Sequence, residues 1–206
     1  MSGPRFISPP PFDAALLAAT RWDLASARTL PGPCFHDPAV FALELTGLFG
    51  RSWQVAARAE DLPHPGSFRR VEVGGESILL LRDEGGVGAF YNVCLHRGSR
   101  LIDAPSGTVE QLRCPYHAWC YALDGRLSHV PRGEVPAGAS LHPVRLAEWG
   151  GYLLVNLDAD AAPLVSAWAD LPDLSAYRMD SLRRAHRETY EVAATFGPEG
   201  VELWLD

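Results

Sequence analysis

Two stretches decide how this chain is read: Tyr91-Asn92-Val93-Cys94-Leu95-His96-Arg97-Gly98-Ser99-Arg100-Leu101 and Cys114-Pro115-Tyr116-His117-Ala118-Trp119. Each carries one cysteine and one histidine, spaced Cys-x-His in the first and Cys-x-x-His in the second, and residues 97–113 separate the two pairs. A thiolate and an imidazole offered together, twice, mark a metal site of mixed ligation. The order Cys, His, Cys, His is what two loops would present if they approached one site from opposite sides.

Cys94, His96, Cys114 and His117 are therefore the candidate ligands. A 2Fe–2S cluster with two cysteines on one iron and two histidines on the other uses this donor set. Replacing two thiolates by neutral imidazoles removes negative charge and raises the potential. The range becomes about −150 to +300 mV, against about −400 mV for all-cysteine plant-type clusters. A tetrahedral zinc site also takes two cysteines and two histidines and is the chemical alternative, although zinc fingers usually run Cys, Cys, His, His. Gly98 lets the first loop turn tightly, and Pro115 stiffens the second. Tyr116, Trp119 and Tyr121 are large enough either to shield the site or simply to pack in a core. Arg97, Gly98, Pro115, Tyr116 and Trp119 are expected to surround the ligands.

Outside the two motifs the chain reads as a globular protein. Its 206 residues suffice for one or one and a half domains. The formal net charge of −7 favours solubility and argues against nucleic-acid binding. The proline-rich start, Met1 to Pro11, is not a signal peptide, and Ile78-Leu79-Leu80-Leu81 is far too short to span a bilayer. A cytoplasmic protein without membrane segments is expected. Cys34 and Cys120 fit free thiols of a reducing compartment, and His36, His64, His129, His142 and His186 lack ligand-like spacing.

The patterning predicts a mainly β fold with short N-terminal helices. Residues 1–11 read as a loose arm and 12–28 as a short helix. Asp37-Pro38 reads as an N-cap followed by proline at the first helical position, opening a helix with Phe41, Leu45, Leu48 and Phe49 on one face. From Ser52 the period changes to that of strands: 53–57, 67–73, 77–82, 87–92, 110–114, 119–122, 141–148 and 151–157. Pro65-Gly66, Gly74-Gly75, Gly85-Gly86 and the hairpin turn Asp124-Gly125 separate several of them. Residues 158–163 read as a linker, 166–177 as a helical turn or two, and 181–194 as a strand.

The two motifs and their flanks resemble the Rieske domain of Rieske non-heme iron oxygenases, at the N-terminal part of the large (alpha) subunit. The likeness extends to Phe49-Gly50-Arg51-Ser52-Trp53, to Tyr121-Ala122-Leu123-Asp124-Gly125-Arg126-Leu127 and to the closing strand Trp149 to Asp158, covering about residues 31–195. The stretch Thr29 to Trp53 looks most like the branch acting on choline, betaine or carnitine-type amines. Respiratory and photosynthetic Rieske proteins carry a further cysteine in each loop; Ser99 and Tyr116 stand there instead. The family usually has glycine where this chain has Ala118, which is tolerated if its φ is negative.

The resemblance implies an antiparallel β Rieske domain over 31–180, with its core at about 52–158. An N-terminal arm and helix over 1–30 precede it, and 181–206 is a remnant of the start of an α+β oxygenase catalytic domain. It implies one 2Fe–2S cluster, an NAD(P)H-dependent reductase or ferredoxin as electron donor, and an oxygenase catalytic domain as acceptor. Full-length members form homo-oligomers, with a trimer possible. No histidine follows His186, so the mononuclear Fe(II) site of the family, and with it any catalytic residue, is expected to lie outside this chain. Whether the chain is itself an enzyme, mono- or dioxygenase, therefore stays open at this stage. So do two alternatives, a stand-alone Rieske ferredoxin and a zinc-stabilised binding module.

Overall fold

The run Ile78-Leu79-Leu80-Leu81 is buried, and all four residues have no solvent exposure. Successive residues of a strand point to opposite faces, so an uninterrupted apolar strand must be covered on both sides. Leu79 and Leu81 enter one core with Phe68, Phe90, Leu112, Tyr121, Leu127 and Leu141. Ile78 and Leu80 enter a second with Leu62, Val73, Ala89, Leu153 and Val155.

The computed structural model describes residues 18–171 and 174–186. Among the described residues ten strands, all paired antiparallel, form three sheets. The four-stranded sheet runs β4 (Val87–Tyr91), β3 (Glu76–Arg82), β2 (Ser67–Val73), β5 (Ser106–Thr108). A second sheet has the order β1 (Gln54–Arg58), β10 (Tyr152–Asn156), β9 (Arg145–Trp149). A third joins β6 (Leu112–Arg113), β7 (Cys120–Tyr121) and β8 (Leu127–His129). The fold is mainly β, as the patterning predicts.

The chain separates into two units, 49–184 and 1–48 with 185–206. The sheets all lie in the first. In the second, α1 (Pro33–His36) and α2 (Pro38–Glu44) are short, and Asp37 caps α2 by accepting a hydrogen bond from the Ala39 amide at 2.8 Å. That is the Asp-Pro start read from the sequence. After β10 come α3 (Leu164–Ala167) and two 3₁₀ turns, Ser175–Tyr177 and Met179–Ser181.

Two elements differ from the sequence reading. Of the helix expected over 12–28, residues 12–17 lie outside the described residues. The remainder forms only a 3₁₀ turn, Ala19–Arg21, with Leu24 97% exposed, so no buried face holds a helix there. The strand expected over 181–194 is described only to 186, and residues 182–186 take no regular structure. There Leu182 O accepts from the Arg58 guanidinium at 2.7 Å, Arg184 pairs with Asp61, and its amide donates to Glu60 at 3.0 Å. Ionic anchoring replaces sheet pairing.

This anchoring depends on pH. Burial raises the Asp61 pKa, but the hydrogen bonds from the Arg58 amide and Arg184, with the charges of Arg69 and Arg184, outweigh it and leave the pKa lowered. A carboxyl depressed on folding contributes stability above its unfolded value, lost as pH falls through the folded one. Asp61→Asn is therefore expected to flatten the loss of urea stability below about pH 4. An acid limb as steep as that of the parent chain would refute the assignment.

Candidate metal centre

Both candidate ligand loops leave a β ladder and return to one. The first follows β4 and closes through a bridge between Val93 and Arg100; the second joins β6 to β7. They share one turn geometry. The Cys94 amide donates to Ser99 O at 2.8 Å and the Gly98 amide to Cys94 O at 3.0 Å. Correspondingly, the Cys114 amide donates to Trp119 O at 2.8 Å and the Ala118 amide to Cys114 O at 3.0 Å. The tight turn needs a left-handed residue four positions after each cysteine: Gly98 has φ 68° and Ala118 φ 57°.

The φ at Ala118 is positive, so the condition under which the sequence reading tolerates an alanine there is not met: the turn's hydrogen bonds dictate the conformation and the alanine accepts the strain. A left-handed L-residue costs about 1–2 kcal/mol. Ala118→Gly is thus expected to stabilise the domain by about 0.5–1 kcal/mol after glycine's larger unfolded-state entropy, raising Tm by a few degrees. A lower Tm in thermal unfolding would contradict this.

The loops bring all four candidate ligands together. Cys94 and Cys114 are buried at 2% and 3% exposure, and their thiols interact. The rings of His96 and His117 lie 4.7 Å apart, edge to face. His96 is exposed and stacks on Trp119 at 4.8 Å, nearly parallel; Tyr116 covers His117 at 3.8 Å. The donors thus come as a sulfur pair and a nitrogen pair. Among the described residues no three His, Cys, Asp or Glu side chains gather around one point as a single ion requires. The Nδ1 atom of His117 is buried without any hydrogen-bond partner. Buried polar atoms are almost always satisfied, so this nitrogen is shaped for a ligand.

The electrostatics suit the same chemistry. Burial raises the pKa of the Cys114 thiol, but amide hydrogen bonds from His117 and Tyr116, with contacts from Cys94 and Ser99, bring it below the usual value. Cys94 is left raised by burial and by Cys114, against the lowering effect of Tyr121 and the His96 amide. Desolvation and the charges of His96 and Arg97 lower the His117 pKa and keep its ring neutral, the form that binds metal.

Tyr121, marked in the sequence only as a large aromatic near the site, is bonded to a candidate ligand. It has no exposed surface, and burial foremost, then its bond to Cys94, pushes its phenol far above the ordinary value. It therefore keeps its proton, bonds Cys94 Sγ at 3.1 Å, where it is the donor to a thiolate, and accepts from the Leu95 amide at 3.0 Å. Asn92, 4% exposed, was not marked: its Oδ1 accepts from the Leu101 and Ile102 amides and its Nδ2 donates to Ile102 O and Ser77 Oγ. Pro115 lies exposed at the loop tip.

Residues 52–141 match the model of the Rieske [2Fe-2S] domain. This chain carries a Rieske [2Fe-2S] domain. The cofactor of such a domain is one 2Fe–2S cluster, and its role is electron transfer. The sulfur pair, the nitrogen pair and the orphaned His117 nitrogen fit that group. The chain is 40% identical over 164 residues to the glycine betaine monooxygenase oxygenase subunit of Chromohalobacter salexigens, covering 76% of this chain and 37% of that protein. It is 34% identical over 184 residues to the carnitine monooxygenase oxygenase subunit of Escherichia coli, covering 86% and 48%. Among solved structures, naphthalene 1,2-dioxygenase from Rhodococcus sp. superposes with a TM-score of 0.67 at 30% identity, covering 75% of this chain and 37% of that one. The quaternary ammonium Rieske monooxygenase CntA gives 0.61 at 31%, covering 66% and 39%. The chain thus spans less than half the length of these relatives. Among the described residues no helix is long and apolar enough to cross a membrane.

Proposed function

We propose that Cys94 and Cys114 hold one iron and His96 and His117 the other, and that the domain serves a cytoplasmic oxygenase acting on a quaternary ammonium compound. When bound, the cluster supplies a one-electron couple at a potential above that of all-cysteine clusters. The protein's part is to hold it. The amides of His96, Tyr116 and His117 and the Tyr121 hydroxyl point hydrogen-bond donors at the two sulfurs, which offsets thiolate charge and tunes the potential. Trp119 packs against one face of His96 and Tyr116 against His117, which orients the two rings. The exposed His96 gives a short exit route for the electron.

On this reading the donor is a reductase or ferredoxin, and the acceptor is a mononuclear iron in a catalytic domain like those of the longer relatives. The amine substrate rests on the glycine betaine and carnitine relatives. The observation that carries the ligand assignment is the orphaned His117 Nδ1 beside the second imidazole and the thiol pair. Anaerobic isolation of the chain tests it. Two irons and two acid-labile sulfides per chain, with two inequivalent irons by Mössbauer spectroscopy, are expected. Zinc without sulfide would overturn the reading.

A further inference from the structure

A cavity of about 590 Å³ opens beside β9, and none of its lining residues belongs to the ligand loops. Three short elements meet to form it. Trp149 ends β9. Trp168 caps the C-terminal end of α3, which buried Leu164 anchors; the Trp168 amide donates to Leu164 O at 2.9 Å. The 3₁₀ turn Met179–Ser181 supplies Met179 and Asp180 to the third side. Gly150 permits that approach: a Cβ there would lie 3.1 Å from Met179 Cβ, and its φ of 55° suits glycine. The size, and a mostly apolar lining with a few polar groups, are those of a small-molecule site.

The aromatic and charged groups narrow the ligand. The two indoles stand at right angles with ring centroids 5.4 Å apart, and both are half-buried. The face of an indole is electron-rich and attracts a cation. Among the described residues the chain's own cation–π contact is Arg58 over Tyr152, so no side chain of the protein uses either indole in this way. Glu148 and Asp180 also line the cavity, are exposed, and form no ion pair among the described residues. Arg178, likewise exposed, is the basic residue of the lining. Two carboxylates against one guanidinium leave the lining negative. A hard metal ion would use the carboxylates and ignore the indoles; a neutral apolar molecule would do the reverse. An organic cation clothed in methyl groups uses both.

We infer that this cavity binds a methylated organic cation of the quaternary ammonium type, its head against Trp149 and Trp168 and its charge met by Glu148 and Asp180. The inference goes beyond the function proposed above, because it gives the Rieske domain a ligand site of its own. It does not depend on the cluster ligands, since cation binding and iron content are measured separately.

The test is a ligand-observed NMR titration of the full chain with two probes of one shape: choline, and the neutral alcohol 3,3-dimethylbutan-1-ol, in which carbon replaces the nitrogen. Choline is expected to bind saturably, and the neutral isostere about ten-fold more weakly. Trp168→Leu should abolish this preference, whereas Trp168→Phe, which keeps an aromatic face, should retain most of it. Glu148→Gln should weaken choline about three-fold and leave the isostere unchanged. Equal affinity of the two probes for the parent chain would overturn the inference, as would failure of choline to bind, and both are read without any variant. A choline preference undiminished in a folded Trp168→Leu chain would place the cation elsewhere and overturn it too. A chain that holds two irons and two sulfides but shows no choline preference would sink this site and leave the cluster assignment standing.

Discussion

His117→Cys is expected to retain two irons and two sulfides while lowering the reduction potential by on the order of 100 mV or more. The proposed ligation would place a neutral imidazole on the iron shared with His96, through the nitrogen that is buried and unpartnered in the structure. A thiolate there adds a negative charge, which favours the oxidised form. The loop can host the change because its conformation is set by the Cys114 and Ala118 backbone hydrogen bonds and not by the His117 side chain. Spectroelectrochemical titration of the two proteins decides the matter: equal potentials with intact cluster spectra would show that His117 is not a ligand.

Asn92→Ala should destabilise the domain by about 3 kcal/mol or more, the second large effect. Asn92 makes four side-chain hydrogen bonds from a position with 4% exposure. Each typically contributes about 0.5–1.5 kcal/mol, and stranding a buried donor costs about 1–3 kcal/mol. Truncation leaves the Leu101 and Ile102 amides without their acceptor. It also frees the exit of the first ligand loop from the four-stranded sheet, since Asn92 stands two residues before Cys94 and binds two residues beyond Arg100. The variant should therefore also release iron faster on exposure to a chelator. A loss below 1 kcal/mol in urea unfolding would mean that the loop is held by other contacts.

The two predictions differ in how far sequence reading could have reached them. His117 announces itself, because Cys-x-x-His beside Cys-x-His is a short-range pattern of reactive side chains. Asn92 does not: an asparagine at the end of a strand is ordinary, and its worth comes from folding residues 101 and 102 back against it. Tyr121 was legible as a large aromatic, but not as the donor to Cys94 Sγ, a bond across 27 positions of sequence. The alanine at 118 was visible as a departure from glycine, yet its φ of 57° follows from the hydrogen bonds of the turn and not from the residue. The helix expected over 12–28 and the strand expected over 181–194 fail in their described parts for a related reason. Their local patterns are amphipathic, but described residues 19–28 leave Trp22 and Leu24 exposed, and residues 182–184 bind Arg58, Glu60 and Asp61.

By itself, the sequence determined the β character of residues 53–157 and the identity, number and pairing of the candidate metal donors. Both are written in spacings of a few residues, where strand period and ligand reach operate. The tertiary structure alone decided what surrounds those donors. It set the Tyr121 hydroxyl against Cys94, the Asn92 clasp on the first loop, the left-handed turn at Ala118 and the exposed arginines in the ligand loops. These depend on which distant segments meet, and that is settled by burying both faces of Ile78 to Leu81 between two cores.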